Sequence, residues 1–119
     1  MDLLKNNDYQ LYFEDQSYLE KTHAQIQRDF EMCGFTFNVD NTLITNYSKL
    51  FHLLLERLEE LSTTGNTSVK NLLYRIDVSE KAILNRMARV QDAEFEEVLT
   101  TLIIERSLLK VLTREKYSQ

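Results

Sequence analysis

Apolar side chains recur along this chain at helical spacing, in blocks separated by short polar stretches. Leu43, Tyr47, Leu50, Phe51, Leu54, Leu58 and Leu61 follow one another mostly at intervals of three and four, and Leu53 and Leu55 widen the face they share. Phe95, Val98, Leu99, Leu102, Ile103, Leu109 and Leu112 repeat the pattern later in the chain, widened by Ile104, Leu108 and Val111. Tyr12, Leu19, Ile26 and Cys33 recur every seven residues, with Phe30 and Thr22 or His23 between them. The pattern predicts a first helix ending near Cys33, a second running from a cap at Asp40, Asn41 or Thr42 to about Leu61, and a last one opening at an Asp92 cap. Glu94, Glu96 and Glu97 at the start of that last helix, with Arg106, Lys110, Arg114 and Lys116 toward its end, suit the helix dipole. The first helix has two start signals, one at Asn7 to Gln10 and a stronger one at Ser17 to Glu20.

Residues 68–90 form a further unit. Val69, Leu72, Leu73 and Ile76 share one helical face, and Ala82, Ile83, Met87 and Val90 share another. Asp77-Val78-Ser79-Glu80 supplies a stop and a restart, with Asp77 or Ser79 as the cap and Val78 filling the angle between the two helices. The alternation of Phe35-Thr36-Phe37-Asn38-Val39 would suit a strand, but an isolated strand has no partner. Residues 34–41 are therefore expected to be an extended connection pinned by its two Phe rings.

Composition sharpens this picture. The chain has no proline and two glycines, Gly34 and Gly65, both placed where helices should end. At 119 residues it is long enough to bury a sizeable core as one domain. The expected fold is all-α: a compact bundle of four main helices plus one short helix, residues 1–119 forming one domain with 1–8 frayed. Leu54, Leu58, Leu72, Ile76, Ile83, Leu99 and Leu102 are its expected core.

Chemistry is sparse. Glu20 and His23 form one Glu-x-x-His pair, but the other histidine, His52, has Lys49 three residues before it, so a second pair is missing and only Glu56 shares its face. Cys33 stands at a stripe position and reads as a small buried hydrophobe. One cysteine, no apolar run of membrane-spanning length, and no basic-then-apolar leader in MDLLKNND suit a cytoplasmic protein. The net charge of −5 is uneven: residues 68–90 carry five Lys/Arg against two Asp/Glu, residues 1–67 five against eleven.

In the spacing of Leu72, Ile76, Val78, Ser79, Ile83 and Met87, residues 68–90 resemble a helix-turn-helix. That family reads bases with the exposed face of its second helix in the major groove. The resemblance implies Ser79, Glu80, Lys81, Leu84 and Asn85 on that face and Arg86 and Arg89 near phosphates, with Lys81, Asn85, Arg86 and Arg89 the DNA-binding residues. The chain departs from the pattern at Leu73, where the family has a small residue, and at Asp77, where it prefers a glycine able to take positive φ. Residues 72–80, followed by a helix such as Leu102 to Arg114, also resemble a group of short all-helical proteins of Bacteroidota, which carries no assigned chemistry.

The expectation is a non-enzymatic protein-interaction module or homodimeric adaptor acting through apolar helix faces, those over 42–61 and in the last helix being the widest. Its partner would be another protein or a second copy, without membrane, cofactor or metal. The alternative is a helix-turn-helix DNA-binding protein using residues 79–90.

Overall fold

In the computed structural model, which describes residues 8–64, 66–92 and 94–118, the apolar blocks fold into six α-helices, with no strand among those residues. They are α1 (Asp8–Tyr12), α2 (Gln16–Met32), α3 (Tyr47–Ser62), α4 (Asn66–Ile76), α5 (Glu80–Arg89) and α6 (Phe95–Tyr117), with a 3-10 turn at Asn41–Leu43. The radius of gyration is 13.8 Å, against about 13.5 Å for a compact chain of this length. Residues 1–7 and Gly65 lie outside the described residues, and with them most of the segment expected to fray.

The block expected as one helix divides in two, and α2 is capped by Asp15, two residues before the Ser17 start signal. The N–H groups of Phe13, Glu14 and Asp15 turn back onto the carbonyls of Gln10, Leu11 and Tyr12. The Asp15 carboxylate then accepts from Ser17 N at 2.9 Å and caps α2. This adds α1 to the five helices expected. Tyr9 and Phe13 flank the break, both buried, and their rings lie 6.0 and 5.5 Å from that of Tyr47 on α3.

Gly34 ends α2 as its position suggested. Its φ is 83°, and Phe35 N–H reaches back to Phe30 O at 2.9 Å while Gly34 N–H bonds Glu31 O at 3.0 Å. This is a Schellman closure, which needs a left-handed residue. Residues 35–40 form no helix or strand, Val39 N–H turns back onto Phe37 O at 3.2 Å, and Phe37 is buried with its ring 5.5 Å from Phe30. Asp40 then caps, but it caps the 3-10 turn, and α3 waits for Asn46, which accepts from Lys49 N at 2.9 Å. Leu43, expected on the buried stripe, is consequently 58% exposed, and Ile44 is buried in its place.

The centre of the molecule is α6. It packs against α2, α3, α4 and α5. Its buried residues include Leu99, Leu102, Ile103, Ile104, Ser107, Leu108 and Val111, which no single stripe contains. A helix that is apolar nearly all round belongs inside a fold. The residues that widened its pattern, Ile104, Leu108 and Val111, thus meet neighbours within the chain, and Leu53 and Leu55 of α3 are half-buried. All seven expected core residues are buried. The first turn of α6 is closed by Glu97, which accepts from Glu94 N at 3.3 Å, while Asp92 sits in the preceding turn with φ 60°.

Asp29 and His23 are both buried, and both have partners. Asp29 on α2 accepts from Lys110 Nζ at 3.1 Å, Gln25 Nε2 at 3.2 Å and Arg75 Nε at 3.4 Å, which ties α2, α4 and α6 together. His23 on α2 donates from Nδ1 to Asn41 Oδ1 at 2.5 Å, and its Nε2 is buried without a partner. Burial lowers the imidazole pKa below its ordinary value, and the Asn41 bond offsets only part of that. A lowered folded-state pKa means that stability is intact above about 6.5, the unfolded value, and is lost as pH falls toward the folded one, by at most about 1.4 kcal/mol per pH unit. Urea midpoints are expected to drop between pH 7.5 and 5.5, and His23→Leu is expected to flatten that drop. A slope left unchanged by His23→Leu would assign it to other groups.

No helix among the described residues is long and apolar enough to cross a membrane.

Candidate functional site

The turn between α4 and α5 sets the geometry of the most distinctive surface. Asp77 takes φ 70°, Val78 N–H reaches Leu73 O at 2.9 Å, and Asp77 N–H bonds Tyr74 O at 3.2 Å. A second Schellman closure thus ends α4, with an aspartate in the left-handed position that glycine usually holds. The Asp77 carboxylate pairs with Arg106 of α6 at 2.8 Å. Ser79 restarts the chain, its Oγ accepting from Ala82 N at 3.1 Å.

The two helices leave a groove of about 670 Å³ between them, with Ser62 of α3 also lining it. One wall is α4, with Val69, Leu73 and Tyr74. The other is α5, with Ile83 and Leu84. Val78 of the turn and Phe95, the first residue of α6, complete the apolar lining. Tyr74 is 90% exposed, Leu84 68% and Phe95 45%. The remaining large exposed apolar residues, Leu11, Met32, Leu43, Val90 and Tyr117, do not line this groove. Lys70 and Glu80 stand at its rim, one on each wall.

The outer surface of α5 carries the residues the helix-turn-helix resemblance selected. Only Ile83 of this helix is fully buried, and the helix rests chiefly on α6. Lys81, Asn85 and Arg89 are exposed. Arg86 is not free: its two terminal nitrogens donate to both oxygens of Glu105, each at 2.9 Å. That bidentate bond raises the guanidinium pKa further and holds the side chain against α6. A second, polar cleft lies between the end of α5 and the start of α6, where Arg86 and Arg89 meet Asp92, Glu97 and Glu105. Leu84 is the apolar residue in the middle of the exposed surface.

The other candidate chemistry is dispersed. Glu20 is exposed while His23 is buried against Asn41, so the pair does not act together. His52 and Glu56 are both exposed. Cys33 is half-buried, its Sγ 3.7 Å from Asn71 O, and burial pushes its thiol pKa up, away from the thiolate. Among the described residues no group of three or more His, Cys, Asp or Glu is placed to hold a metal ion.

Fold and groove together define a compact all-helical structure in which two helices joined by a tight turn carry apolar side chains between them. Comparison with protein-family models, with curated proteins and with solved structures finds no match for the chain. Leu84 was visible in the sequence as an apolar residue on a polar face; Phe95 was hidden, because its spacing assigns it to the buried stripe of α6.

Proposed function

We propose that this protein is a non-enzymatic interaction module that takes the apolar face of a partner helix into the groove between α4 and α5. The observation that carries the reading is the gathering of Tyr74, Leu84 and Phe95, all exposed, around a hollow already lined by Leu73, Val78 and Ile83. Contiguous apolar surface of this kind marks interaction sites. A groove between two helices suits an amphipathic helix laid along it, with anchors at intervals of three and four. A peptide display selection against the full chain is expected to enrich such helices, and Leu84→Glu is expected to abolish their binding. A selection that enriches nothing, or enriches peptides indifferent to Leu84→Glu, counts against the proposal.

A second reading keeps the helix-turn-helix as a DNA-binding device. Asp77 does adopt the left-handed turn that the motif requires, and Lys81, Asn85 and Arg89 are exposed on one helix. Against it, Arg86 is committed to Glu105, and Asp92 and Glu97 share the cleft with Arg89. Phosphate contacts supply much of the affinity for DNA, and these carboxylates oppose them. Fluorescence anisotropy on mixed duplex DNA at low ionic strength separates the readings. Salt-sensitive binding lost in Lys81→Ala with Arg89→Ala would favour DNA.

A further inference from the structure

The groove has a feature that narrows the choice of partner, if the docking reading above holds. Its most exposed apolar side chain, Tyr74, lines the hollow yet is 90% exposed, so its ring projects from the wall. The same surface thus carries both a projecting ring and a cavity to receive one. The rim is divided in the same manner. Lys70 is on the α4 wall, Glu80 is on the α5 wall, and neither forms an ion pair among the described residues. The chain as a whole carries −5, but this rim carries one charge of each sign.

A surface that is its own complement is what a two-fold interface requires, since each element must meet its counterpart twice. We infer that the occupant of the groove is a second copy of this chain, with the α4 wall of each copy on the α5 wall of the other. In that arrangement Tyr74 of each copy enters the hollow of its partner beside Leu84 and Phe95. Lys70 of each copy faces Glu80 of the partner, which makes two equivalent ion pairs. Three apolar anchors a side make a small interface, so the dimer is weak, with Kd roughly 10–100 µM.

The symmetry makes a test that a foreign partner cannot imitate. In Lys70→Glu, both rim contacts of the dimer become carboxylate facing carboxylate; in Glu80→Lys, both become ammonium facing ammonium. Each single variant is expected to weaken self-association about tenfold, since two attractive contacts turn repulsive. An equimolar mixture of the two variants places opposite charges at both contacts, so it is expected to associate as the wild type does. The double variant Lys70→Glu with Glu80→Lys is expected to do the same. The measurement is the weight-average mass from light scattering on the full chain, over about 5–500 µM, a span chosen around the expected Kd. Both side chains are exposed, and a melting curve of each variant checks that it folds.

A wild-type chain that stays monomeric throughout, or single variants that regain nothing on mixing, overturns the inference. A monomer that still selects helical peptides in a Leu84-dependent way removes the second copy and leaves the docking groove. Recovery on mixing without any peptide selection keeps the second copy and removes the foreign helix.

Discussion

Phe30→Ala is expected to cost about 3–5 kcal/mol of folding free energy. Phe30 is fully buried on the face of α2 that meets the core, and its ring packs against that of Phe37. Removing it deletes buried apolar area from α2 and also leaves a cavity where residues 35–40 are pinned. A chain of this size has about 5–15 kcal/mol in total, so the variant should sit near the edge of folding. Chemical denaturation measures the loss. Leu84→Ala is the contrast: at 68% exposure in the groove, it should change stability by no more than about 0.5 kcal/mol. Similar losses in the two variants would mean that the groove is part of the core.

The second large effect is expected at Asp29. Its carboxylate is buried, and its partners belong to three different helices. Asp29→Ala leaves Lys110 and Arg75 without their counter-charge. A fully buried pair broken in this way costs about 3–5 kcal/mol. Here the cations are only partly covered, the Lys110 side chain 24% and the Arg75 side chain 45% exposed. Water can take over part of the lost interaction, and about 2–3 kcal/mol is expected. Asp29→Asn, which keeps the shape and an acceptor oxygen, should lose less. If Asp29→Ala costs under about 1 kcal/mol, the network orders the surface without holding the helices.

The helix phases could be read from spacing because burial on one side is all that spacing encodes. Leu50, Leu54, Leu58 and Leu61 follow the 3.6 period and are buried. What spacing does not encode is where a helix begins when two caps compete. Asp40 and Asn46 are both good caps, and the chain uses both, the first for a 3-10 turn that turns Leu43 outward. Nor does it rank two wide apolar faces. The polar residues between the apolar ones carry that ranking. In α6 these include Thr100 and Ser107, small enough to be buried, and Thr100 Oγ1 returns its hydrogen bond to Glu96 O of its own helix at 2.7 Å. In α3 they include Glu56, Glu59 and Glu60, which need water.

The groove was legible only in part. Tyr74, Leu84 and Phe95 lie on three helices, and the left-handed turn at Asp77 sets the angle between two of them. The Arg86–Glu105 pair joins residues 19 apart in sequence, and no local pattern announces it. Without that pair Arg86 reads as a free phosphate ligand.

The placement of α6 has a consequence for how the chain acquires its shape during synthesis. Every helix from α2 to α5 packs on α6, and α6 is made after them. Until its 23 residues have left the ribosome, Leu19, Leu54, Leu72 and Ile83 have no common partner to bury them. At roughly 5–20 residues per second that interval lasts seconds, long compared with the microseconds in which single helices form. Through that period α2, α3 and α4 have only one another to pack against, and the faces that meet α6 stay uncovered. That is when chaperones, or neighbouring nascent chains, have their best access to it.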